Sequence, residues 1–341
     1  RGGKGKVAVT TYDDDFIESF FTCMSHDTLM FVTDRGQLYW LKVYKIPEGS
    51  RTAKGKAVVN LINLQPDEKI KAIIPTTDFS KNKSLAFFTK NGLVKRTNLS
   101  EYQNIRSIGV KAINLDENDE LVTVVIATSD YDEKVVDDPD IIVENELEES
   151  GFDALEEVID SEIEAISELE ESEIEHILES IDELPESSDE KMLFVVTKKG
   201  MCIKFPLSKV RQIGRVARGV TAIRFKEEGD EVVGAVVIEN DTQEILSVSQ
   251  KGIGKRTTAD EYRLQSRGGK GVICMKLTSK TKDLVGVVMV DESMDLMALT
   301  SSGKMIRVDM QTIRKAGRNT SGVIVVNVGS DEVVSIARCP K

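Results

Sequence analysis

Histidine and cysteine are scarce in this chain of 341 residues, with two and four respectively. Cys23, Cys202, Cys274 and Cys339 stand far apart and form no CxxC pair, and neither His26 nor His176 has a partner at metal-ligand spacing. This argues against a structural zinc site. Reduced thiols in a cytoplasmic protein are the expectation. No apolar run approaches the roughly 18 residues that a membrane span requires, and no basic–apolar–small leader is visible. A nucleotide-binding P-loop is lacking too: GGKGK at Gly2–Lys6 has neither the wide glycine spacing nor the following Ser or Thr. The tyrosines are scattered, and the single tryptophan, Trp40, sits in an apolar run where packing is its expected role.

Charge is plentiful but unevenly placed. The formal net charge is −13. Residues 130–190 hold 27 acidic side chains against one basic, Lys134, a net of −26. Outside that segment 44 basic side chains face 31 acidic ones, a net of +13. The chain is therefore a basic body with one acidic insertion. A basic body is the electrostatic footprint of a polyanion binder, and the whole-chain balance hides it.

The body repeats. Five segments share an apolar run, Thr or Ser, two polar residues and Gly: LMFVTDRG ending at Gly36, LAFFTKNG at Gly92, LFVVTKKG at Gly200, ILSVSQKG at Gly252 and LMALTSSG at Gly303. Each reads as a strand entering a tight turn whose last residue needs the freedom of glycine. A return run follows in which apolar and basic residues alternate loosely, as in a strand with one wet face.

About fifteen residues beyond each turn comes an Arg in a Gly-containing loop: RTAKGK at Arg51, RSIGVK at Arg106, RVARGV at Arg215, RGGKGV at Arg267 and RNTSGV at Arg318, with RGGKGK at Arg1 as a sixth copy. The gaps between these arginines are 50, 55, 109, 52 and 51 residues. Only the third is out of step, and the acidic stretch lies within it. Units of about 50 residues with about four short strands each indicate a propeller-like array. Two unrelated β-sandwiches would leave the even spacing unexplained.

Loops of cations and glycines suit phosphate. Without a Cβ the backbone N–H groups come close to the anion, Arg adds planar donors and Lys a mobile charge. None of these groups reads base edges, so any recognition is largely independent of sequence. The candidate contacts are Arg1, Gly2, Gly3, Lys4, Gly5 and Lys6 in the first loop. Arg51, Lys54, Lys56, Arg215, Arg218, Arg267, Lys270 and Arg318 occupy the equivalent loops. Lys95, Arg96, Lys255 and Arg256 stand at matched places in return strands. For any one of these the bland alternative is a solvated surface cation.

RGGKGK resembles the end of the octapeptide Q-R-R-G-G-R/K-G-R/K of the DNA gyrase A family. KVYKIPEGSRTAKGKAVVNL (Lys42–Leu61) and GRNTSGVIVV (Gly317–Val326) are similar to the C-terminal domain of that family. The resemblance covers the chain except residues 130–190 or so. It implies an all-β, six-bladed β-pinwheel over residues 1–130 and 189–341, with duplex DNA wrapped on a basic rim in a positive crossing. It further implies an ATP-dependent parent topoisomerase with ATP and Mg bound elsewhere, and no catalytic residue or cofactor in this chain. The partners it implies are duplex DNA, the N-terminal part of gyrase A, and gyrase B in a heterotetramer with two copies of each, in the cytoplasm and without a membrane. The box lacks its leading Gln and Arg here, so the first blade is expected to be incomplete. The related domain of topoisomerase IV, or a propeller that binds acidic proteins, are the alternatives.

Residues 131–188 would then interrupt the third blade. Ile163, Ile166, Leu169, Ile174, Ile177, Ile181 and Leu184 recur at helical steps, so a mainly helical acidic insertion is expected. It reads either as a solvated appendage or as an internal competitor for the basic rim, weakened by screening over about 8–10 Å.

Overall fold

The computed structural model describes residues 23–49, 55–105, 108–128 and 190–341. These residues form strands joined by turns, with helical content limited to short 3-10 turns. In chain order the strands are β1 (Thr28–Thr33), β2 (Gln37–Lys42), β3 (Ile70–Thr76), β4 (Lys83–Thr89), β5 (Leu93–Asn98), β6 (Val110–Lys111), β7 (Leu121–Thr128), β8 (Met192–Thr197), β9 (Met201–Pro206) and β10 (Val220–Thr221). There follow β11 (Val232–Ile238), β12 (Glu244–Ser249), β13 (Ile253–Thr258), β14 (Val272–Ile273), β15 (Leu284–Met289), β16 (Met294–Thr300), β17 (Met305–Asp309), β18 (Val323–Ile324) and β19 (Val333–Pro340).

The strands assemble into sheets of order β3-β1-β2-β6, β10-β5-β4-β7, β11-β8-β9-β14, β15-β12-β13-β18 and β17-β16-β19. All pairings in these sheets are antiparallel. In each four-stranded sheet three strands belong to one sequence repeat. The fourth is a two-residue strand from the next repeat: β6, β10, β14 or β18. Strands β3, β7, β11, β15 and β19 touch one another in succession, which sets the sheets side by side. The all-β, propeller-like expectation holds. The expectation of six blades becomes five sheets among the described residues. Residues 1–22, which include the first loop RGGKGK, and the helical insertion expected at 131–188 lie outside them.

The apolar runs are continuous, not alternating, because the leading strands are buried on both faces. On β4, Leu85 and Phe87 join the core containing Met30 and Val32 of the preceding sheet. Ala86 and Phe88 join the core containing Leu193 and Val195 of the following one. β8 divides in the same way, with Phe194 and Val196 packed with Ile245. The Phe194 and Tyr262 rings lie 4.7 Å apart at a tilt of 58°.

The turn glycines serve this stacking as well as the hairpins. Gly92 has φ of 86°, and a Cβ there would stand 2.6 Å from the carbonyl oxygen of Ile223 in the next unit. At Gly252 a Cβ would run still closer, into the Val326 carbonyl oxygen. The acidic turns cap the same hairpins: Thr33 donates to Glu68 at 2.6 Å, Thr197 to Asp230 at 2.7 Å and the Lys199 amide to Asp230 at 2.9 Å. All four cysteines are free thiols. Among the described residues no helix is long and apolar enough to cross a membrane.

Truncating Phe194, which is fully buried, to Ala is expected to cost about 3–5 kcal/mol of stability in a denaturant titration. Val59→Ala, at a site 61% exposed, is expected to stay within about 0.5 kcal/mol of wild type.

Candidate nucleic-acid interface

Each described Arg–Gly loop leads directly into an exchanged strand. The loop at 215–219 precedes β10, that at 267–271 precedes β14, and that at 318–322 precedes β18. Every such loop is consequently anchored on the sheet of the preceding unit.

The loop arginines take part in that anchoring. Arg267 donates through Nη1 to the Thr221 oxygen at 2.6 Å and through Nε to the Lys209 oxygen at 3.1 Å. Arg318 donates to the Ile273 oxygen at 3.1 Å. Thr221 and Ile273 are the closing residues of β10 and β14, so the two contacts are equivalent: an arginine of one loop clamps the exchanged strand before it. Arg218 pairs with Asp116 of the preceding unit, and since both side chains are well exposed the pair contributes little. Arg215, Arg267 and Arg318 are half-buried, whereas Lys56, Arg218 and Lys270 are exposed. Arg1, Gly2, Gly3, Lys4, Gly5, Lys6, Arg51 and Lys54 lie outside the described residues.

The four return-strand cations require correction. Lys95, Arg96, Lys255 and Arg256 are buried, so they cannot meet a duplex at the surface. The expected wet face of these strands is covered by the next unit's loop. Lys95 Nζ donates to Thr97 Oγ1 at 2.6 Å, to the Ala112 oxygen at 2.7 Å and to the Arg215 oxygen at 2.9 Å. Lys255 donates to the Gly317 oxygen at 2.7 Å and also to the Arg318 oxygen. Arg96 reaches Ser84 Oγ at 2.9 Å and the Leu207 and Val210 oxygens at 3.3 Å. Arg256 binds Gln311 at 3.0 Å and pairs with Glu244 at 3.4 Å. Buried cations persist only when so satisfied. These residues are pegs: two of them hold the carbonyl side of a basic loop from beneath.

Burial holds Lys95 down to about 7. The nearby Glu101 carboxylate opposes that shift and the Arg215 charge adds to it. Lys255 is lowered for the same first reason, against Cys274, Cys202 and Glu261.

Lysines at the hairpin turns are largely neutralised by acidic turns. Lys90 and Lys198 both pair with Glu231, at 3.2 and 3.0 Å. Lys199 pairs with Asp283 at 3.1 Å, and Lys251 with Glu332 at 3.2 Å. Lys90–Glu231, Lys199–Asp283 and Lys251–Glu332 each join one unit to the next. Sequence reasoning misses a further set, Arg211, Arg263 and Arg314, all exposed. The signal is there to be read: each stands four residues ahead of a loop arginine.

Because the unfolded chain holds Lys95 as an ordinary amine and the native state as a weaker base, the unfolded state binds the extra proton between pH of about 7 and 10.5. The contribution of Lys95 to stability therefore rises with pH across that window. Melting curves of wild type and Lys95→Met are expected to differ by an amount that moves toward wild type from pH 7 to 10. A difference flat in pH would contradict the assignment.

The family described as "DNA gyrase C-terminal domain, beta-propeller" matches residues 1–24, 27–77, 83–128, 191–239, 243–291 and 295–340. The whole chain is 80% identical to the A subunit of DNA gyrase from Campylobacter fetus, 74% to that from Campylobacter jejuni and 50% to that from Helicobacter pylori. It spans 36%, 37% and 34% of those proteins respectively, about a third of their length. Among solved structures, a DNA gyrase A C-terminal domain superposes with a TM-score of 0.66 at 20% identity, covering 95% of this chain and 89% of that one. A C-terminal domain of DNA topoisomerase IV gives 0.66 at 23% identity, covering 93% and 80%. At these identities the structural likeness is one of fold.

Proposed function

The chain belongs to the DNA gyrase C-terminal domain family, and from that premise we propose that it binds duplex DNA and wraps it across successive unit boundaries. The parent enzyme, a DNA gyrase with ATP and Mg bound elsewhere, would use the wrap to introduce negative supercoils. The observation that carries this reading is the recurrence of exposed cations at equivalent loops, Arg218 and Lys270 among them, on a backbone fixed by strand exchange. Lys56 belongs to the same set by sequence, as do Arg1, Lys4, Lys6, Arg51 and Lys54.

Wrapping requires bending, which costs about 1–6 kcal/mol for 40–90° over 20–30 base pairs. A single loop offsets little of that, whereas contacts repeated along a curve act together and release counterions at each phosphate. Phosphate contacts position the duplex without reading it, so binding is largely indifferent to sequence. The wrap forms a positive crossing. The covalent chemistry of strand passage belongs to the remainder of gyrase A with gyrase B, in the cytoplasm.

Affinity for random-sequence duplex is expected to grow with length until the duplex exceeds the wrapped path, and to fall steeply between 50 and 200 mM salt, by about 0.9 log units per log unit of salt for each phosphate neutralised. Gel shifts with a length series check this. A length-independent, salt-insensitive response is the behaviour of a protein-interaction propeller instead. With the parent enzyme, supercoiling of relaxed circles separates gyrase from topoisomerase IV, which relaxes and decatenates.

A further inference from the structure

The exposed arginines ahead of the loops share more than spacing. The residue after each of them forms an isolated parallel bridge to the preceding unit's return strand: Gln212 to Arg96, Leu264 to Lys204 and Lys315 to Arg256. The next amide then donates to that same strand residue, Ile213 to the Arg96 oxygen, Gln265 to the Lys204 oxygen and Ala316 to the Arg256 oxygen, each at 2.9 Å. The strand residue is a buried cation in all three cases. Arg211, Arg263 and Arg314 are thus set on one repeated backbone platform, at the same register, at three successive unit boundaries. Their side chains are exposed and make no ion pair or side-chain hydrogen bond among the described residues. The loop arginines differ in this respect, since Arg267 and Arg318 spend guanidinium donors on the carbonyls of β10 and β14.

We propose that Arg211, Arg263 and Arg314 form a row of phosphate contacts for the bound duplex, and that Arg267 and Arg318 act as positioning residues that lock successive units together. The inference rests on the reading of the chain as a duplex binder. A guanidinium with all its donors available matches phosphate bidentately. One that already donates to a backbone carbonyl has fewer donors to offer. A fixed backbone beneath the free guanidinium reduces the ordering that binding demands. The division also accounts for the pairs Arg263/Arg267 and Arg314/Arg318, since in each the second arginine secures the exchanged strand and the first faces solvent.

The test uses the 341-residue chain and a random-sequence linear duplex, titrated between 50 and 300 mM KCl. The variants are R211Q/R263Q/R314Q, the same three positions changed to Lys, and R267Q/R318Q. The triple Gln variant is expected to lower the magnitude of the log–log salt slope by about 0.9 per arginine removed, with a melting temperature within about 3 °C of wild type. The triple Lys variant is expected to keep the wild-type slope. R267Q/R318Q is expected to keep the slope while hydrogen exchange quickens at β10 and β14. An unchanged slope in the triple Gln variant, beside a steep wild-type slope, overturns this assignment and leaves the duplex-binding reading intact. A wild-type chain without salt-dependent duplex binding overturns both. If the triple Gln variant does not fold, its arginines carry structure and the assignment is equally overturned.

Discussion

The exchange of a two-residue strand between neighbouring units is the constraint on which the rest of the structure depends. β6, β10, β14 and β18 each complete the sheet before their own. The Arg–Gly loop ahead of such a strand can therefore be neither a free tether nor an ornament of its own unit. Its backbone is pinned where two units meet, which is why a turn glycine such as Gly252 must leave room for the Val326 carbonyl. It is also why a lysine such as Lys95 finds the Arg215 oxygen 120 residues away in sequence. A small exchanged element carries little energy itself, but it fixes the register in which the larger cores between sheets close.

The same constraint sorts the positive charge into three fates. Cations on the covered face of a return strand are buried and work through their hydrogen bonds, as Lys95 and Lys255 do. Cations at the hairpin turns meet the acidic turns and are paired, as Lys199 is with Asp283. Cations on the outer side of the boundaries remain exposed. A net charge of −13 thus says little about what a polyanion would encounter. The burial of Lys95 and Arg96 against backbone carbonyls costs desolvation that the carbonyls offset, and removing one partner would leave the other unsatisfied in a dry interior.

The architecture is legible in the sequence because it is written several times. The Thr-x-x-Gly turns, the apolar runs and the even arginine spacing each occur in unit after unit, and the strands fall where those marks put them. The fates of individual cations are not legible. The return strand VKRTN, with Lys95 and Arg96, looks like a half-wet strand until the loop at 215–219 is known to lie across it, and that covering comes from a distant part of the chain. For the same reason Arg267 and Arg318 look like free phosphate ligands in sequence, whereas each faces a carbonyl oxygen of another unit. Arg211, Arg263 and Arg314 carry no glycine beside them to mark a loop, although their spacing of four before each loop arginine is itself a repeat. The propeller-like class survives. The number of described sheets is five, and the acidic segment at 131–188 lies outside the described residues.

In the proposed function, a line of exposed cations at exchanged-strand boundaries bends duplex DNA into a wrap of one handedness. The most direct measurement ligates nicked circular DNA in the presence of the chain, removes the protein and counts the linking number of the closed circles. The account predicts a positive shift that grows with the ratio of chain to DNA and vanishes at high salt. A linking number that stays unchanged while the chain is bound, or that shifts negatively, would contradict it.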